Sequence, residues 1–462
     1  MSEPNANQRG RLTPDELRAQ VAAGAIDTVL VTFPDMQGRL VGKRVTGTYF
    51  VDNVLSSSIE VCNYLLAVDV DMNPLPGYRF ANWDQGYGDV SCIPDLTTLR
   101  PVPWIERTAI VLCDVVDEHS RKPVAVSPRQ VLRDQVARAE ALGFRPHIGA
   151  ELEFFLFRDT FEELAGNGYR EFHPHSDWIE DYHILQTSRE EYLIRRIRNG
   201  MDDAGIPVEF SKGEAGRGQH EINLVYAEAL EMADRHAIYK NGVKEIAADE
   251  GRSVTFMAKY SMDEVGSSCH LHVSLTDLAT GAAAFHDPNA ADGQSTVFRH
   301  FLGGLLASAR ELSWCFAPFV NSYKRYQPDS WAPTAVAYGL DNRTCGFRLV
   351  GRGPAFRVES RIPGADVNPY IAYAALIAAG LHGIEHGIEP PAPLVGNGYT
   401  ADVEHLPSTL PEAIQLFDDS AIAREAFGDD VHHHLLNTAR QEWLAFNRAV
   451  TDWELRRNFE RI

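Results

Sequence analysis

The sequence predicts an α+β protein, because helices alternate with strands that do not fall into regular βαβ units. Helical periodicity recurs at residues 128–142, 188–204, 227–250, 295–317, 367–386 and 434–458. Short apolar runs typical of strands lie at residues 149–157, 206–210, 219–225, 252–258, 269–275, 346–350 and 355–361. The order of these runs favours a mostly antiparallel sheet over a doubly wound parallel one.

The first part of the chain is richer in strands than the rest. Thr13 precedes Pro14 and two acidic residues, which is the pattern of a helix start. Strands are predicted at 27–33 and 108–113, with a turn at 34–39. Typical domain sizes predict three parts. Residues 1–20 form a flexible N-terminus with the first helix start, residues 21–115 an N-terminal domain, and residues 116–462 a larger second domain.

Composition excludes several classes of function. The chain has 64 Asp and Glu against 43 Lys and Arg, a formal charge of −21, which argues against binding a nucleic acid backbone. We expect no membrane span and a cytoplasmic location, since apolar runs are short and the six cysteines are scattered. The run His432-His433-His434 is interpreted as surface or subunit-contact residues in a helix.

Two glutamates interrupt a strand that is otherwise apolar. Glu151 and Glu153 point to one face of the predicted strand at 149–157, while Leu152 and Phe154 point to the other. Two neighbouring carboxylates in an apolar setting repel each other unless cations compensate. A solvated sheet face would explain the pair as well, but the adjacent phenylalanines favour a divalent metal.

Further candidate metal ligands lie downstream. Glu214 and Glu221 flank a glycine-containing turn that lets both carboxylates converge, although an acidic loop is the alternative. His270 and His272 share one face of the strand at 269–275, either as metal ligands or as hydrogen-bonded structural residues.

Arginines accompany these acidic residues. Arg357, Glu359 and Arg361 share one strand face, as an ordinary salt-bridged strand or as two guanidinium groups gripping phosphate beside a metal-bound carboxylate. Three more arginines lie in turn-rich segments, namely Arg325, Arg343 and Arg348. Oxygen-rich ligands suit Mg²⁺ or Mn²⁺, and arginines with such metals are typical of phosphoryl transfer.

Six motifs in this order resemble the class I glutamine synthetase family over nearly the whole chain. They are GAELEFFLF, KGEAGRGQHEIN, SSCHLHVSL, NSYKRY, DNRTCGFR and RVESRIPGADVNPYIAYAALIAAGL. The resemblance implies an N-terminal β-grasp domain and a catalytic α+β domain with a curved antiparallel sheet. It also implies a homododecamer, a double ring of six, whose active sites lie between adjacent subunits.

The resemblance also implies roles for individual residues. Two or three Mg²⁺ or Mn²⁺ ions per active site are expected, with the first site formed by Glu153, Glu214 and Glu221. The second metal site is formed by Glu151, His270 and Glu359. ATP is bound by His272, Ser274, Arg343 and Arg357. Glutamate is bound by Gly266, Arg325, Arg348 and Arg361, and catalysis is assigned to Arg325, Arg343, Arg348 and Arg361.

The chain departs from the family pattern where ammonium binds. A glutamate that closes the site is replaced by Trp331, and an ammonium-binding aspartate is replaced by Leu55. A small hydrated cation would lose two carboxylate partners, whereas an indole offers a flat wall for an alkyl amine. The alternative is that Glu60 or Asp329 substitutes after a register shift. We interpret Leu55, Glu60 and Trp331 as the amine pocket.

The leading hypothesis is a γ-glutamylamine synthetase of this family, making γ-glutamylethanolamide or a γ-glutamylpolyamine. ATP would phosphorylate L-glutamate to γ-glutamyl phosphate, and an organic primary amine would then displace phosphate. The bulk of Trp331 favours a short amine such as ethanolamine over polyamines. The alternatives are glutamine synthesis from ammonium and a non-catalytic nitrogen or amine sensor.

Replacing Trp331 with glutamate tests the proposed pocket. Because a charge-assisted hydrogen bond contributes about 1.5–3 kcal/mol, Trp331→Glu should raise kcat/KM for ammonium about 10- to 100-fold and lower it for organic amines. Steady-state phosphate release with each amine measures both changes. An unchanged amine profile would show that Trp331 does not line the acceptor pocket.

Overall fold

The computed structural model describes residues 10–462, so the flexible stretch expected at the extreme N-terminus lies mostly outside the described residues. Fifteen strands form two sheets in this part of the chain. The first sheet contains β1 (Thr28–Pro34), β2 (Leu40–Thr46), β3 (Ile59–Cys62), β4 (Asp89–Pro94), β5 (Arg100–Pro101) and β6 (Thr108–Asp117). The second contains β7 (Phe144–Phe157), β8 (Val208–Gly213), β9 (Gln219–Leu224), β10 (Ala227–Glu228), β11 (Ser253–Thr255), β12 (Cys269–Asp277), β13 (Tyr338–Leu340), β14 (Phe347–Val350) and β15 (Arg357–Ser360).

The described chain also contains twelve α-helices. They are α1 (Pro14–Ala22), α2 (Gly47–Tyr49), α3 (Pro128–Ala141), α4 (Phe161–Gly166), α5 (Ile184–Thr187), α6 (Glu191–Asp203), α7 (Ala229–Asp249), α8 (Thr296–Ser308), α9 (Pro369–His386), α10 (Leu410–Asp419), α11 (Ala421–Arg448) and α12 (Asp452–Asn458). A π-helical turn spans Phe50–Val54. Short 3₁₀ turns span Asn63–Leu66, Trp83–Gln85, Leu96–Thr98, Ser313–Phe316, Val320–Arg325 and Gly353–Ala355.

The first sheet has the order β2-β1-β6-β4-β3, with β5 also paired to β6. The β1–β6 pair is parallel and the other pairs are antiparallel. The second sheet has the order β13-β14-β15-β12-β7-β9-β8, and only β13–β14 is parallel. The prediction of an α+β fold with a mostly antiparallel sheet is confirmed, while the division at residue 115 stays a prediction.

Helix α9 lies at the centre of the helical layer because nearly all of its faces are apolar or small. Its Ala and Gly residues let α8 approach closely, and a Cβ at Gly304 would lie 2.1 Å from the Ala379 carbonyl oxygen. Such a contact excludes any side chain at that position. The resulting core is continuous and includes apolar residues from both sheets, such as Val111 of β6 and Leu152 of β7.

The observed elements match most of the predicted ones, with differences at their ends. Helix α1 begins at the expected place, after Thr13, and the structure adds a capping box in which Thr13 and Glu16 cap each other. The strand predicted at 149–157 begins earlier, at Phe144, and the helix predicted at 295–317 ends at Ser308. The last predicted helix begins already at Ala421 and contains a non-helical residue, Gly428.

The interpretation of the histidine run as surface or subunit-contact residues is wrong for two of its members. His432 and His434 are buried. The His432 ring stacks on Phe417 and its Nε2 lies 2.8 Å from the Phe417 carbonyl oxygen. His434 Nε2 lies 2.8 Å from the carbonyl oxygen of Leu66. Backbone acceptors satisfy both imidazoles, so the run can enter the core.

The structure bears on the cysteines and on the expected lack of a membrane span. All six cysteines are free, and five of them are buried. Among residues 10–462, no helix combines the length and apolarity required to cross a bilayer.

A buried arginine connects the first sheet to the helices behind the second. Arg129 on α3 pairs with Asp95 at 2.7 Å, with Asp234 of α7 at 2.9 Å, and with Asp114 of β6. The Tyr370 hydroxyl donates to the same Asp234 carboxylate at 2.7 Å. Since Arg129 and Asp234 are both 1% exposed, loss of one partner leaves charge buried without compensation.

We therefore expect Arg129→Met to lower the free energy of unfolding by about 3–5 kcal/mol, measured by urea denaturation. The matched control is Arg133→Met, because Arg133 contacts Asp114 from a partly exposed position and should contribute at most about 1 kcal/mol. An equal decrease in the free energy of unfolding for both variants would show that the buried ion pairs of Arg129 contribute no more than the exposed contact of Arg133.

Candidate active site

Strand β7 brings the first group of acidic side chains together because it is paired on both sides. In the β7–β9 register Glu153 lies opposite Glu221, and Glu214 follows β8 in the turn toward β9. One carboxylate oxygen from each of these three glutamates lies within 4.8 Å of the others. The structure thus assembles the three residues that the resemblance assigned to a first metal.

Crowding raises the pKa of two of these carboxyl groups. Burial, followed by the charge of Glu214, raises the pKa of Glu153 to about 8. Burial, followed by the charges of Glu151 and Glu153, raises the pKa of Glu221 to about 10. Lys212 forms an ion pair with Glu214 and lowers the pKa of Glu221, and Arg325 and Arg361 lower that of Glu153, but burial and the like charges outweigh these cations. The group therefore has more negative charge than its protein neighbours neutralise.

A second group adjoins the first through Glu151. Its carboxylate lies 3.2 Å from Nδ1 of His270 and 2.8 Å from Nε2 of His272. His270 Nδ1 is also 3.8 Å from the Glu359 carboxylate. Although burial opposes ionisation, the hydrogen bonds from the two histidines hold the pKa of Glu151 far below its usual range. These four residues form a mixed carboxylate and imidazole site.

Arginines surround the second group on its far side. Glu359 accepts hydrogen bonds from Arg348 at 2.8 Å and from Arg361 at 2.5 Å. Arg357 Nε donates to Nδ1 of His272 at 3.2 Å, which leaves the proton of that imidazole on Nε2, facing Glu151. Positive groups therefore lie directly beside the acidic side chains, an arrangement typical of phosphoryl-transfer sites.

Arg325 is held rigidly at the base of the site. Its guanidinium donates to the carbonyl oxygens of Ile362 at 2.8 Å and Arg361 at 2.9 Å, and to the Ser268 hydroxyl at 3.1 Å. A Cβ at Gly266 would lie 2.6 Å from Cγ of Arg325, so only glycine allows this approach. The pair forms a preorganised wall suited to a carboxylate ligand.

Two cavities meet at Glu151. The first, of about 440 Å³, is lined by the acidic residues of both groups together with Gly266, Arg325, Arg343, Arg348 and Arg361. The second, of about 580 Å³, contains His272, Ser274 and Arg357 in its lining. The residues assigned to glutamate and those assigned to ATP therefore fall largely into different cavities, with Arg343 of the ATP set in the first.

The three residues of the predicted amine pocket are not brought together within one chain. Trp331 is 58% exposed and lines the first cavity, with a backbone φ of 62°, which is strained for a bulky residue. Leu55 is only 5% exposed and packs in the core beneath the first sheet, and Glu60 is exposed on β3. Leu55 therefore has no direct access to this cavity in its own chain.

Sequence reasoning missed several residues that line the first cavity. Lys212 and Phe210 come from β8, where the register places Lys212 opposite Glu221. Asp181 and Tyr182 come from the irregular segment before α5. A strand carrying lysine next to an acidic motif is a usable sequence signal, but the irregular segment has no periodicity that would place it here.

The donor set fits divalent metal ions. Three buried or half-buried carboxylates form one group and two carboxylates with imidazoles form the other, so hard oxygen donors predominate. Burial, followed by the charge of neighbouring carboxylates, raises the pKa of Glu153 and Glu221. A divalent ion would remove that conflict at the first group.

Oxygen ligands for divalent ions beside a row of arginines, on a mixed helix-and-sheet fold, define an enzyme that moves phosphoryl groups with metal ions. The family model described as glutamine synthetase, catalytic domain, matches residues 125–458. The chain belongs to the glutamine synthetase family. Ligases of this type use ATP and divalent metal ions.

Relatives and solved structures agree along nearly the whole chain. It is 53% identical to the gamma-glutamylethanolamide synthetase GlnA4 of Streptomyces coelicolor, over 99% of this chain and 98% of the relative. It is 40% identical to a glutamate–isopropylamine ligase of a Pseudomonas species, over 95% and 96%. A solved structure described as apo GmaS without ligand superposes with a TM-score of 0.84 at 29% identity, covering 96% of this chain and 99% of that one.

Metal binding at the acidic groups should release protons. Because the pKa values of Glu153 and Glu221 are raised to about 8 and about 10, both carboxyls hold protons at neutral pH without metal. Metal requires the ionised form, so its affinity should fall as pH decreases below about 10, and more steeply below about 8. Calorimetric titration with Mg²⁺ at pH 7 in buffers of different ionisation enthalpy should report about one to two protons released per chain.

The matched control for this titration is Glu221→Gln, which removes one of the two protonated carboxyls and should release fewer protons. Heats that do not depend on the buffer would contradict the assignment of these glutamates as metal ligands.

Proposed function

We propose that this chain is an ATP-dependent carbon–nitrogen ligase that joins L-glutamate to an organic primary amine and forms a γ-glutamylamide. The single observation that carries the proposal is the pair of cavities that meet at Glu151 between acidic ligands and arginines. Two relatives favour the same chemistry by their names, since one is a gamma-glutamylethanolamide synthetase and the other a glutamate–isopropylamine ligase. The synthetase aligns with 99% of this chain.

In the first step, the γ-carboxylate of glutamate attacks the γ-phosphorus of ATP, which forms γ-glutamyl phosphate and releases ADP. Arg357 and His272 would contact the nucleotide phosphates in the larger cavity, together with Ser274. Arg325 and Gly266 would hold glutamate in the smaller cavity. Arg343, Arg348 and Arg361 would neutralise the transferred phosphoryl group.

In the second step, the amine nitrogen attacks the γ-carbonyl carbon, phosphate leaves with the C–O bond electrons, and the nitrogen loses a proton. The proposed ions, two per site and either Mg²⁺ or Mn²⁺, would be held by the two ligand groups and would supply Lewis-acid charge stabilisation. Mg²⁺ is the simpler assignment because hard carboxylate oxygens dominate both groups.

The preference for an organic amine over ammonium rests on the wall of the first cavity. Trp331 presents an aromatic face there, where an ammonium site needs a carboxylate. An alkyl or hydroxyalkyl amine can cover the indole and place its nitrogen toward the glutamate pocket. The bulk of Trp331 favours a short amine such as ethanolamine over long polyamines.

Assembly, domain boundaries and cellular location complete the proposal. We propose a dodecamer in which the exposed Glu60 approaches the site of a neighbouring copy, whereas Leu55 is buried in the core of its own chain. We also propose an N-terminal β-grasp domain at residues 21–115 and a catalytic domain at residues 116–462. A cytoplasmic location is also proposed.

The acceptor can be identified by measuring phosphate release from ATP and glutamate with different amines. We expect saturable activity with ethanolamine, weaker activity with putrescine and spermidine, and kcat/KM for ammonium at least about tenfold lower, since each lost charged contact costs more than about 1.4 kcal/mol. Mass spectrometry of the product checks that the amide forms at the γ position.

Two outcomes would overturn the proposal. Saturable activity with ammonium alone would assign glutamine synthesis. Phosphate release with none of the amines, from protein that still binds ATP and Mg²⁺, would assign a sensor. A variant of the second ligand group, Glu359→Gln, serves as the control for contaminating ligases and should abolish the release.

A further inference from the structure

A second cluster of acidic and imidazole side chains lies outside the catalytic site and is completely buried. Glu180 and Glu190 are both 0% exposed and His220 is 1% exposed. A carboxylate oxygen from each glutamate and a ring nitrogen of His220 lie within 4.8 Å of one another. His175 reaches the same place, with Nδ1 at 2.8 Å from the Glu190 carboxylate.

The polar atoms of this cluster are largely without hydrogen-bond partners. Within residues 10–462, neither carboxylate oxygen of Glu180 has a partner, and the same holds for one oxygen of Glu190 and for Nε2 of His220. His220 Nε2 lies 3.6 Å from the Glu180 carboxylate, which is too far for a hydrogen bond. No Lys or Arg of the described chain forms an ion pair with either glutamate; His175 and His220 are their only basic neighbours at that range.

Such an arrangement is costly unless something occupies the space between the groups. Burying one unpaired polar group costs about 1–3 kcal/mol, and buried carboxylates without cations cost more. A proton shared between Glu180 and Glu190 would remove one charge but would still leave His220 Nε2 without a partner. A divalent cation satisfies both carboxylates and the imidazole nitrogen together.

We propose that Glu180, Glu190 and His220 bind a structural zinc ion. Within residues 10–462, both oxygens of Glu180, one oxygen of Glu190 and Nε2 of His220 lack partners, so they offer the four donor atoms of a closed site. Two carboxylates and a neutral imidazole also balance the charge of one divalent ion. Imidazole together with a small number of ligands favours zinc over Mg²⁺, which requires six oxygens and keeps several waters. His175 orients the Glu190 carboxylate through its hydrogen bond, as outer partners of metal ligands commonly do.

This site is separate from the catalytic one although the two share strand β9. Side chains alternate along a strand, so His220 points away from the face that carries Glu221. A Cβ at Gly213, which pairs with His220, would lie 2.6 Å from Cβ of Glu180, on the side away from the catalytic acids. The zinc would therefore lie behind the sheet that forms the floor of the first cavity.

The zinc would fix a segment that reaches the catalytic cavity. Glu180 directly precedes Asp181 and Tyr182, which line that cavity, and Asp181 forms a β-bridge with Gly213. Ile179 forms a second bridge with Arg217 in the turn that follows Glu214. Apart from these bridges the segment is irregular. A metal link between Glu180 and β9 would keep Asp181 and Tyr182 in place.

The test compares zinc content in two neighbouring variants of the full chain. Apo protein is loaded with zinc in stoichiometric steps, dialysed, and analysed by inductively coupled plasma mass spectrometry. Glu190→Gln should retain about one zinc ion fewer per chain than the wild type, because it removes a buried ligand. Glu191→Gln is the matched control, because Glu191 pairs with Arg198 on α6, and it should match the wild type.

Equal zinc content in Glu190→Gln and the wild type would overturn the proposal and favour the shared proton. If Glu190→Gln does not fold, the wild type decides the question after loading with Co²⁺. Intense visible bands of four-coordinate cobalt should appear and should persist in Glu214→Gln and His270→Ala, which remove catalytic ligands. Absence of these bands in the wild type, or their loss in both catalytic variants, would overturn the zinc site.

Discussion

Repulsion between buried carboxylates is the constraint on which the rest of this site depends. Glu153, Glu214 and Glu221 approach within 4.8 Å of one another, and among residues 10–462 only Lys212 forms an ion pair with the group. Like charges at this distance in a buried setting force protonation or require a cation. The sheet holds the three residues in place regardless, because each belongs to or adjoins strands fixed by pairing on β7 and β9. The proposed metal affinity would thus come from charge that the fold does not neutralise by itself.

The position of Glu151 explains how two chemically different cavities act together. Its neighbours His270 and His272 keep it ionised, whereas burial and crowding favour protonated Glu153 and Glu221 in the absence of metal. Strand β7 carries Glu151 and Glu153 and pairs with the strands that carry the other groups, and Glu151 lines both cavities. The proposed transfer between nucleotide and glutamate therefore occurs where arginines and acidic ligands alternate, which is how phosphoryl charge is usually stabilised.

The acceptor side is built differently from the metal side. All the proposed metal ligands except Glu214 lie on strands with a fixed register, whereas Trp331 lies in a loop with a strained backbone and Asp181 and Tyr182 lie in an irregular segment. Loops on a rigid scaffold can change their residues without disturbing the core. This difference accounts for a family that retains one phosphorylation chemistry while its relatives use different amines.

The sequence by itself determined the α+β class, the order of the elements and the sheet residues that carry charge. Period-two alternation places Glu151 with Glu153 and His270 with His272, since side-chain direction along a strand is a local property. Only the tertiary structure decided that Leu55 is buried in its own core, that His432 and His434 enter the interior, and that Glu180 and Glu190 meet His220. These contacts join residues far apart in the chain through irregular segments and packed helices. Packing and long-range pairing decide them, and no local pattern records them.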